Sequence, residues 1–527
     1  MRGNWLDDDD ANSRLTPATS PTRDRLGVPR RHDRPGRSSI ARDRSKEISP
    51  YDRKHRKRDQ RTATEALPEG TANSSPAVQT ADRIPTPGWA QFVTVAGGIA
   101  ALSVVITGFA TGNGETQTAG IVMVVLCAVS MVGLKRIARD TSHGEFPLLV
   151  AGLAMKLLAS LLRYWVSFSG NLYSRSDAKT YDEAGREISA LYLSQGNLPP
   201  YKSYMGSNFL RLLTGLLYQV IPPSTLAAFF VFGWFSFMGY IMFWRAMRRT
   251  VKPGQDRRYL ILLLFVPSVA YWPSSLGKEA VVIFGLGLAS LGYARTITNA
   301  PLSGAALMGA GVVLVTYVRP HVAIVVLVGI AISTIVRKRS SKEIVGTLIT
   351  VALFIPVVGF TVGQASTYFN GDVTSQAARD NTLQEAQDRT SQGNSEFDNT
   401  AVQITNPVQF PYAAMTVIVR PFPWESPSPQ EFATAIESAF VGFLLIRNAR
   451  QVFGHIRRDN AYAIYAFVSL VVFIVLFSNF NNFGILARQR TQVAPFLFLL
   501  MALPVRERKP KRGAPSDVAP AGSLSSW

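Results

Sequence analysis

Long apolar runs alternate with short basic loops along this chain, and both of its ends are polar. A helix needs about 17 to 25 mostly apolar residues to cross the hydrocarbon core of a bilayer. Several runs reach that length, and they are continuous rather than alternating, which argues against a transmembrane barrel. The pattern predicts an all-α fold, a polytopic transmembrane helical bundle. Its expected spans are Trp89–Ala110, Ala119–Leu134, Phe146–Phe168, Thr225–Trp244, Tyr259–Trp272, Gly277–Ala294, Leu302–Val318, Val322–Val336, Ile344–Val362, Phe432–Ile446, Ala461–Phe477 and Thr491–Leu503. That is about 12 spans by the length a bilayer requires.

Asn208–Pro222 is apolar too, but it is short and ends in proline. If it crossed, the following run would deliver Arg245, Arg248, Arg249 and Lys252 to the outside. Cytoplasmic loops carry the excess of Lys and Arg, so this segment is expected to be interfacial or re-entrant. With that choice the clusters Lys135–Arg139, Arg245–Lys252, Arg337–Lys342, Arg447–Arg458 and Arg506–Arg512 all fall on the cytoplasmic side. Both termini are then cytoplasmic and the expected location is the plasma (inner) membrane.

Three segments flank or interrupt the bundle. Residues 1–83 are rich in Asp, Arg, Ser, Thr and Pro without periodicity, as expected for a disordered basic tail. The membrane domain occupies 84–504, and 505–527 forms a second basic tail. Within the membrane domain, 364–431 is a long extracytoplasmic loop. Connections beyond about 15 residues tend to be functional or disordered.

The formal net charge is +20. Because much of it sits in tails and in loops beside apolar runs, membrane lipid rather than nucleic acid is the expected partner. The only cysteine, Cys127, lies inside an apolar run, which excludes intramolecular disulfides and Cys-ligated zinc. The sequence demands no cofactor and leaves room for a divalent metal.

The candidate chemistry lies on the outer side. Asn171–Gly185, NLYSRSDAKTYDEAG, is the first strongly polar stretch after three apolar runs. Asp177 and Tyr181 are four apart and share a helix face. A carboxylate there can accept a proton from an attacking hydroxyl, while a plain surface helix with its acids paired to Arg175, Lys179 and Arg186 fits the same spacing. In WPSSLGKE, Lys278 and Glu279 open an otherwise apolar span, where free N–H groups favour an anion. YVRPH places Arg319 and His321 at a turn between spans, and Arg420 sits among the aromatics of VRPFPWE. Arg488 and Arg490 close the last outer loop, SNFNNFGILARQR. Arginines on the positive-poor side point to an anionic substrate, since guanidinium binds phosphate bidentately. Within the third span, Lys156 and Arg163 are charges that a membrane tolerates only when paired or functional.

SRSDAKTYDEAG resembles the Asp-bearing outer-loop segment of GT-C glycosyltransferases, which use polyprenyl-phosphate-linked sugars. The resemblance implies a catalytic base at Asp177. The span pattern, with its long outer loop and outer arginines, is also similar to O-antigen polymerases and ligases of the Wzy and WaaL type. That likeness implies diphosphate-lipid binding at Arg319, Arg420, Arg488 and Arg490. The expected function is transfer of sugar from a polyprenyl (di)phosphate donor to a saccharide acceptor on the extracytoplasmic face, with Tyr181, Lys278, Glu279 and His321 among the substrate-binding residues. A transporter or flippase of a lipid-linked or anionic solute, and a non-catalytic envelope-assembly scaffold, remain open alternatives.

Overall fold

The computed structural model describes residues 87–139, 144–168, 176–197, 201, 203–251, 256–298, 300–337, 344–368, 407–426, 429–456, 460–478, 480 and 482–503. The expected tails at 1–83 and 505–527, and most of the 364–431 loop, lie outside them. The described residues form helices and no strand. In chain order these are α1 Gly88–Thr111, α2 Gly114–Arg139, α3 Phe146–Phe168, α4 Asp177–Gln195, α5 Ser207–Val220 and α6 Thr225–Thr250. There follow α7 Asp256–Phe265, α8 Pro267–Tyr271, α9 Lys278–Thr298, α10 Pro301–Val318, α11 Pro320–Val336 and α12 Ile344–Tyr368. The last four are α13 Phe410–Ile418, α14 Pro429–Ile456, α15 Ala461–Phe477 and α16 Phe483–Met501.

Among the described residues, 7 helices are long and apolar enough to cross a membrane: α1, α2, α3, α6, α9, α10 and α14. Two shorter apolar helices, α11 and α15, have 17 residues each. The outer helices keep apolar side chains exposed, such as Phe92, Ile99 and Phe109 on α1 and Phe440, Phe443 and Ile446 on α14. In a bilayer those faces meet lipid tails, so exposure carries no hydrophobic penalty.

α9 runs through the middle, packed between α6 and α10. Small residues set that spacing. A Cβ on Gly287 would lie 2.4 Å from the Gly239 carbonyl oxygen on α6, and one on Gly311 would lie 2.4 Å from the Ala289 nitrogen on α9. Without a hydrophobic driving force between helices in lipid, such close backbone approach supplies the packing. Below the upper end of α9 the core holds buried tyrosines, each hydroxyl partnered. Tyr259 donates to the Pro495 carbonyl at 2.9 Å, Tyr465 pairs with Ser290 at 2.9 Å and Tyr293 with Ser333 at 2.7 Å.

Two elements differ from the expected spans. The run Tyr259–Trp272 is broken into α7 and the five-residue α8, because Pro267 has no N–H to continue the helix. The chain then passes through the buried turn 272–277 before α9 begins. Irregular backbone at such depth needs internal partners, and Lys156 provides them. Its ammonium donates to the Val269 and Ala270 carbonyls at 3.0 and 3.2 Å and to Ser274 Oγ at 3.3 Å. The span charge is therefore paired with backbone, not snorkelling. The second difference is at the last outer loop. α16 starts at Phe483, capped by Asn482 Oδ1 accepting from the Ile485 N–H at 3.0 Å, so both Arg488 and Arg490 are helical.

α4 and α5 pack against each other as a helical pair beside the spans. α5 has 14 residues, too few to cross. Gly185 lies against Thr214 and Gly215 against Ile188, where any Cβ would approach to 2.5 Å. The pair is tied down by Arg186, which bonds Asp182 at 2.9 Å, Glu115 of α2 at 3.1 Å and Thr225 of α6 at 3.2 Å. Tyr218 donates a short hydrogen bond to Asp182, and burial followed by that contact pushes its phenol well above the ordinary range. This lattice fixes the start of α4, where Asp177 sits.

Candidate functional site

The ends of α3 and α10 and the starts of α4, α9, α11 and α16 meet at one end of the bundle, carrying a cluster of charge. Glu279, in the first turn of α9, is at the centre, with a side chain only 3% exposed. Its Oε1 accepts from Arg319 Nη2 at 2.7 Å and from Arg488 Nε at 2.6 Å. Arg319 is held at the junction of α10 and α11 because Pro320 starts a new helix there. Its Nη1 donates to Gln489 Oε1 at 2.6 Å. Arg488 reaches further, and its Nη2 donates to Asp177 Oδ2 at 2.9 Å. Four segments far apart in sequence thus form one chain of ion pairs, Asp177–Arg488–Glu279–Arg319.

Asp177 is the open end of that chain, with a side chain 57% exposed. Ser176 caps the helix by accepting from the Ala178 N–H at 3.3 Å, which fixes where Asp177 projects. One turn on, Tyr181 is buried and bonded to Ser207 at the start of α5. Burial, and then the nearby Asp177 charge, push its phenol up to about 12, so it is a neutral hydroxyl at physiological pH. The Gly206 N–H donates to the Tyr317 carbonyl at 2.8 Å and Phe209 stacks on Tyr317 at 5.4 Å, locking the α4–α5 pair onto α10.

Lys278 precedes Glu279 and is half-buried within the fields of Asp177, Glu279, Arg319 and Arg488. Among the described residues no acceptor hydrogen-bonds its ammonium. A cavity of about 90 Å³ opens beside Asp177, lined also by Glu279, Arg488, Ser275, Trp272, Ser167 and Arg163. The lining therefore carries two cations, Arg163 and Arg488, and two carboxylates, Asp177 and Glu279, while Arg319 pairs with Glu279 and Lys278 adjoins it in sequence. In a site partly shielded from water, guanidinium groups are suited to holding an anion.

His321, in the first turn of α11, faces Phe477 with ring centroids 5.9 Å apart. Arg420 and Arg490 form a separate group. Arg490 donates to the Val417 carbonyl at 2.8 Å and, by short bonds, to Ser438 Oγ and the Arg420 carbonyl. Arg420 pairs with Glu425 at 2.7 Å and lies over Phe483 at 5.5 Å. Burial would raise the Glu425 carboxyl, but the Arg420 and Phe422 N–H donors outweigh it and hold it below its ordinary range. Neither arginine lines the Asp177 cavity. Among the described residues no group of three or more His, Cys, Asp or Glu is placed to hold a metal ion.

Several cavity residues were not assigned to the site by sequence, among them Arg163 and Trp272. The signal was there for Arg163, an intramembrane charge four residues before Ser167. Comparison with known family models, curated proteins and solved structures returns no match.

Proposed function

We propose that the protein is an integral membrane glycosyltransferase or polysaccharide polymerase. It moves a sugar or oligosaccharide from a polyprenyl (di)phosphate to an acceptor hydroxyl on the extracytoplasmic face, in the synthesis of a cell-surface polysaccharide or glycoconjugate. The observation that carries this reading is the convergence of Asp177 with Arg488, Glu279 and Arg319 beside one cavity that Arg163 also lines. The cations hold the phosphate and stabilise charge developing on the leaving group. Asp177, held by Arg488 through one oxygen and open on the other, takes the proton from the acceptor hydroxyl as the glycosidic bond forms.

On this reading the chain crosses the plasma membrane about twelve times, with both termini cytoplasmic and the Asp177 end outside. The basic ends of α2, α6, α9 and α11, with Arg139, Arg249, Arg295 and Arg337, all lie at the opposite end of their helices from the cluster, as the positive-inside rule requires. The charges also gather at one end above a tyrosine-filled core, which favours a transferase over a solute path through the bundle.

Asp177→Asn tests the base. The variant is expected at normal membrane abundance with sugar transfer from the lipid-linked donor lost by about 100-fold or more, the lower range for a general base. Full transfer by Asp177→Asn would remove the assignment.

A further inference from the structure

The polar cavity shares a wall with a second hollow. On the far side of Trp272 a groove of about 360 Å³ is lined by Met155, Leu158, Ala159 and Leu162 of α3 and by Tyr271 and Ala433. Its one carboxylate, Glu437, is already engaged by the Ser268 N–H at 2.8 Å and by the Ser268 hydroxyl. The rest is mainly apolar. Ala159 of the groove and Arg163 and Ser167 of the cavity follow at four-residue steps on one face of α3, so the two hollows succeed one another along that helix. From Met155 to Ser167 the helix rises about 18 Å. Leu162 and Trp165 are exposed on this flank, so the groove opens towards lipid.

Arg163 stands at the junction. Its Nη1 donates to the Tyr271 hydroxyl at 3.2 Å, and its guanidinium lies over Tyr271 at 4.7 Å and Trp272 at 5.0 Å. Its buried Nε has no acceptor. A donor left unmade near the end of a span is costly, and a ligand phosphate would satisfy it.

We propose that this groove holds the hydrocarbon tail of a single-chain anionic lipid, an isoprenyl phosphate, whose phosphate lies between Arg163 and Arg488. The inference rests on the transferase reading and says where that donor's tail lies. One groove accommodates one chain, which separates this ligand from a diacyl phospholipid. The cationic junction separates it from the corresponding alcohol.

The test is equilibrium binding to the purified full-length protein in nanodiscs, using a long-chain isoprenyl monophosphate, its alcohol, phosphatidic acid and inorganic pyrophosphate. Ala159→Trp, which fills the groove, is expected to weaken the isoprenyl phosphate by about tenfold or more, or 1.4 kcal/mol, and to leave pyrophosphate unchanged. Arg163→Gln is expected to weaken both. Thermal melting identifies a misfolded variant, and Leu162→Trp, at the open edge, then takes the place of Ala159→Trp. Unchanged isoprenyl phosphate affinity in a folded groove variant overturns the proposal, as does equal affinity for the alcohol or for phosphatidic acid. Binding is read without turnover. A chain that binds isoprenyl phosphate through the groove and transfers no sugar overturns only the transferase reading.

Discussion

Arg488 and Arg490 stand two residues apart on α16 and serve different partners. Arg488 reaches Glu279 and Asp177, whereas Arg490 is used up on Val417, Arg420 and Ser438. Positions i and i+2 on a helix do not face each other, so a pair that reads as one anion clamp in an extended loop becomes two separate devices. The variants should separate accordingly. Arg488→Gln is expected to remove sugar transfer with membrane abundance near normal. Arg490→Gln strands the carbonyls of Val417 and Arg420 and should lower stability by about 2 kcal/mol, within the range for buried acceptors left unmade. Melting temperature and transfer, measured together, check both.

Glu279→Gln should be the most damaging single change at the cluster. The carboxylate is the shared acceptor of Arg319 and Arg488, and an amide leaves their charges uncompensated in a buried place. Removing one member of a buried ionic group costs about 3–5 kcal/mol. The variant is expected to fall in abundance as well as activity. Normal melting of Glu279→Gln would show that the ion pairs add little to stability.

Lys156→Met should destabilise the protein without touching the cavity, because the Val269 and Ala270 carbonyls lose a charged donor and keep only the Tyr240 and Ser274 hydroxyls. About 2 kcal/mol is expected for the loss of hydrogen bonds to a charged group. Lys156→Arg keeps a donor and should recover part of the loss in a melting experiment.

The Arg420–Glu425 pair predicts a pH response. The folded Glu425 carboxyl lies below its unfolded value, so the ionised form is the one the fold prefers. Its contribution is present above the ordinary carboxylate pKa of about 4.3 and is lost as pH falls through the lower folded value. Hydrogen exchange at residues 420–426 should quicken on acidification through that window. Glu425→Gln should show fast exchange at neutral pH and little further change.

Apolar length made most helix limits readable. The runs Phe146–Phe168 and Ala461–Phe477 coincide with α3 and α15 because each is uniformly apolar between polar ends. Hydropathy registers length but not path, so the break of Tyr259–Trp272 at Pro267 and the buried turn after it escaped. Asp177, Glu279, Arg319 and Arg488 stood out as charges in unusual places. Their mutual pairing did not, since it depends on contacts such as Arg488–Asp177, 311 residues apart in sequence. Arg163 went unassigned because Tyr271, the side chain that orients it, is 108 residues away.

Since Arg488 belongs to α16, the last helix among the described residues, the ion-pair chain cannot close until that helix has been made. A nascent or truncated chain ending before residue 483 already holds Asp177, Glu279 and Arg319, but it has nothing to join the first to the other two. Completion of the ion-pair chain is thereby coupled to insertion of α16, so the cluster assembles in the order in which its parts arrive.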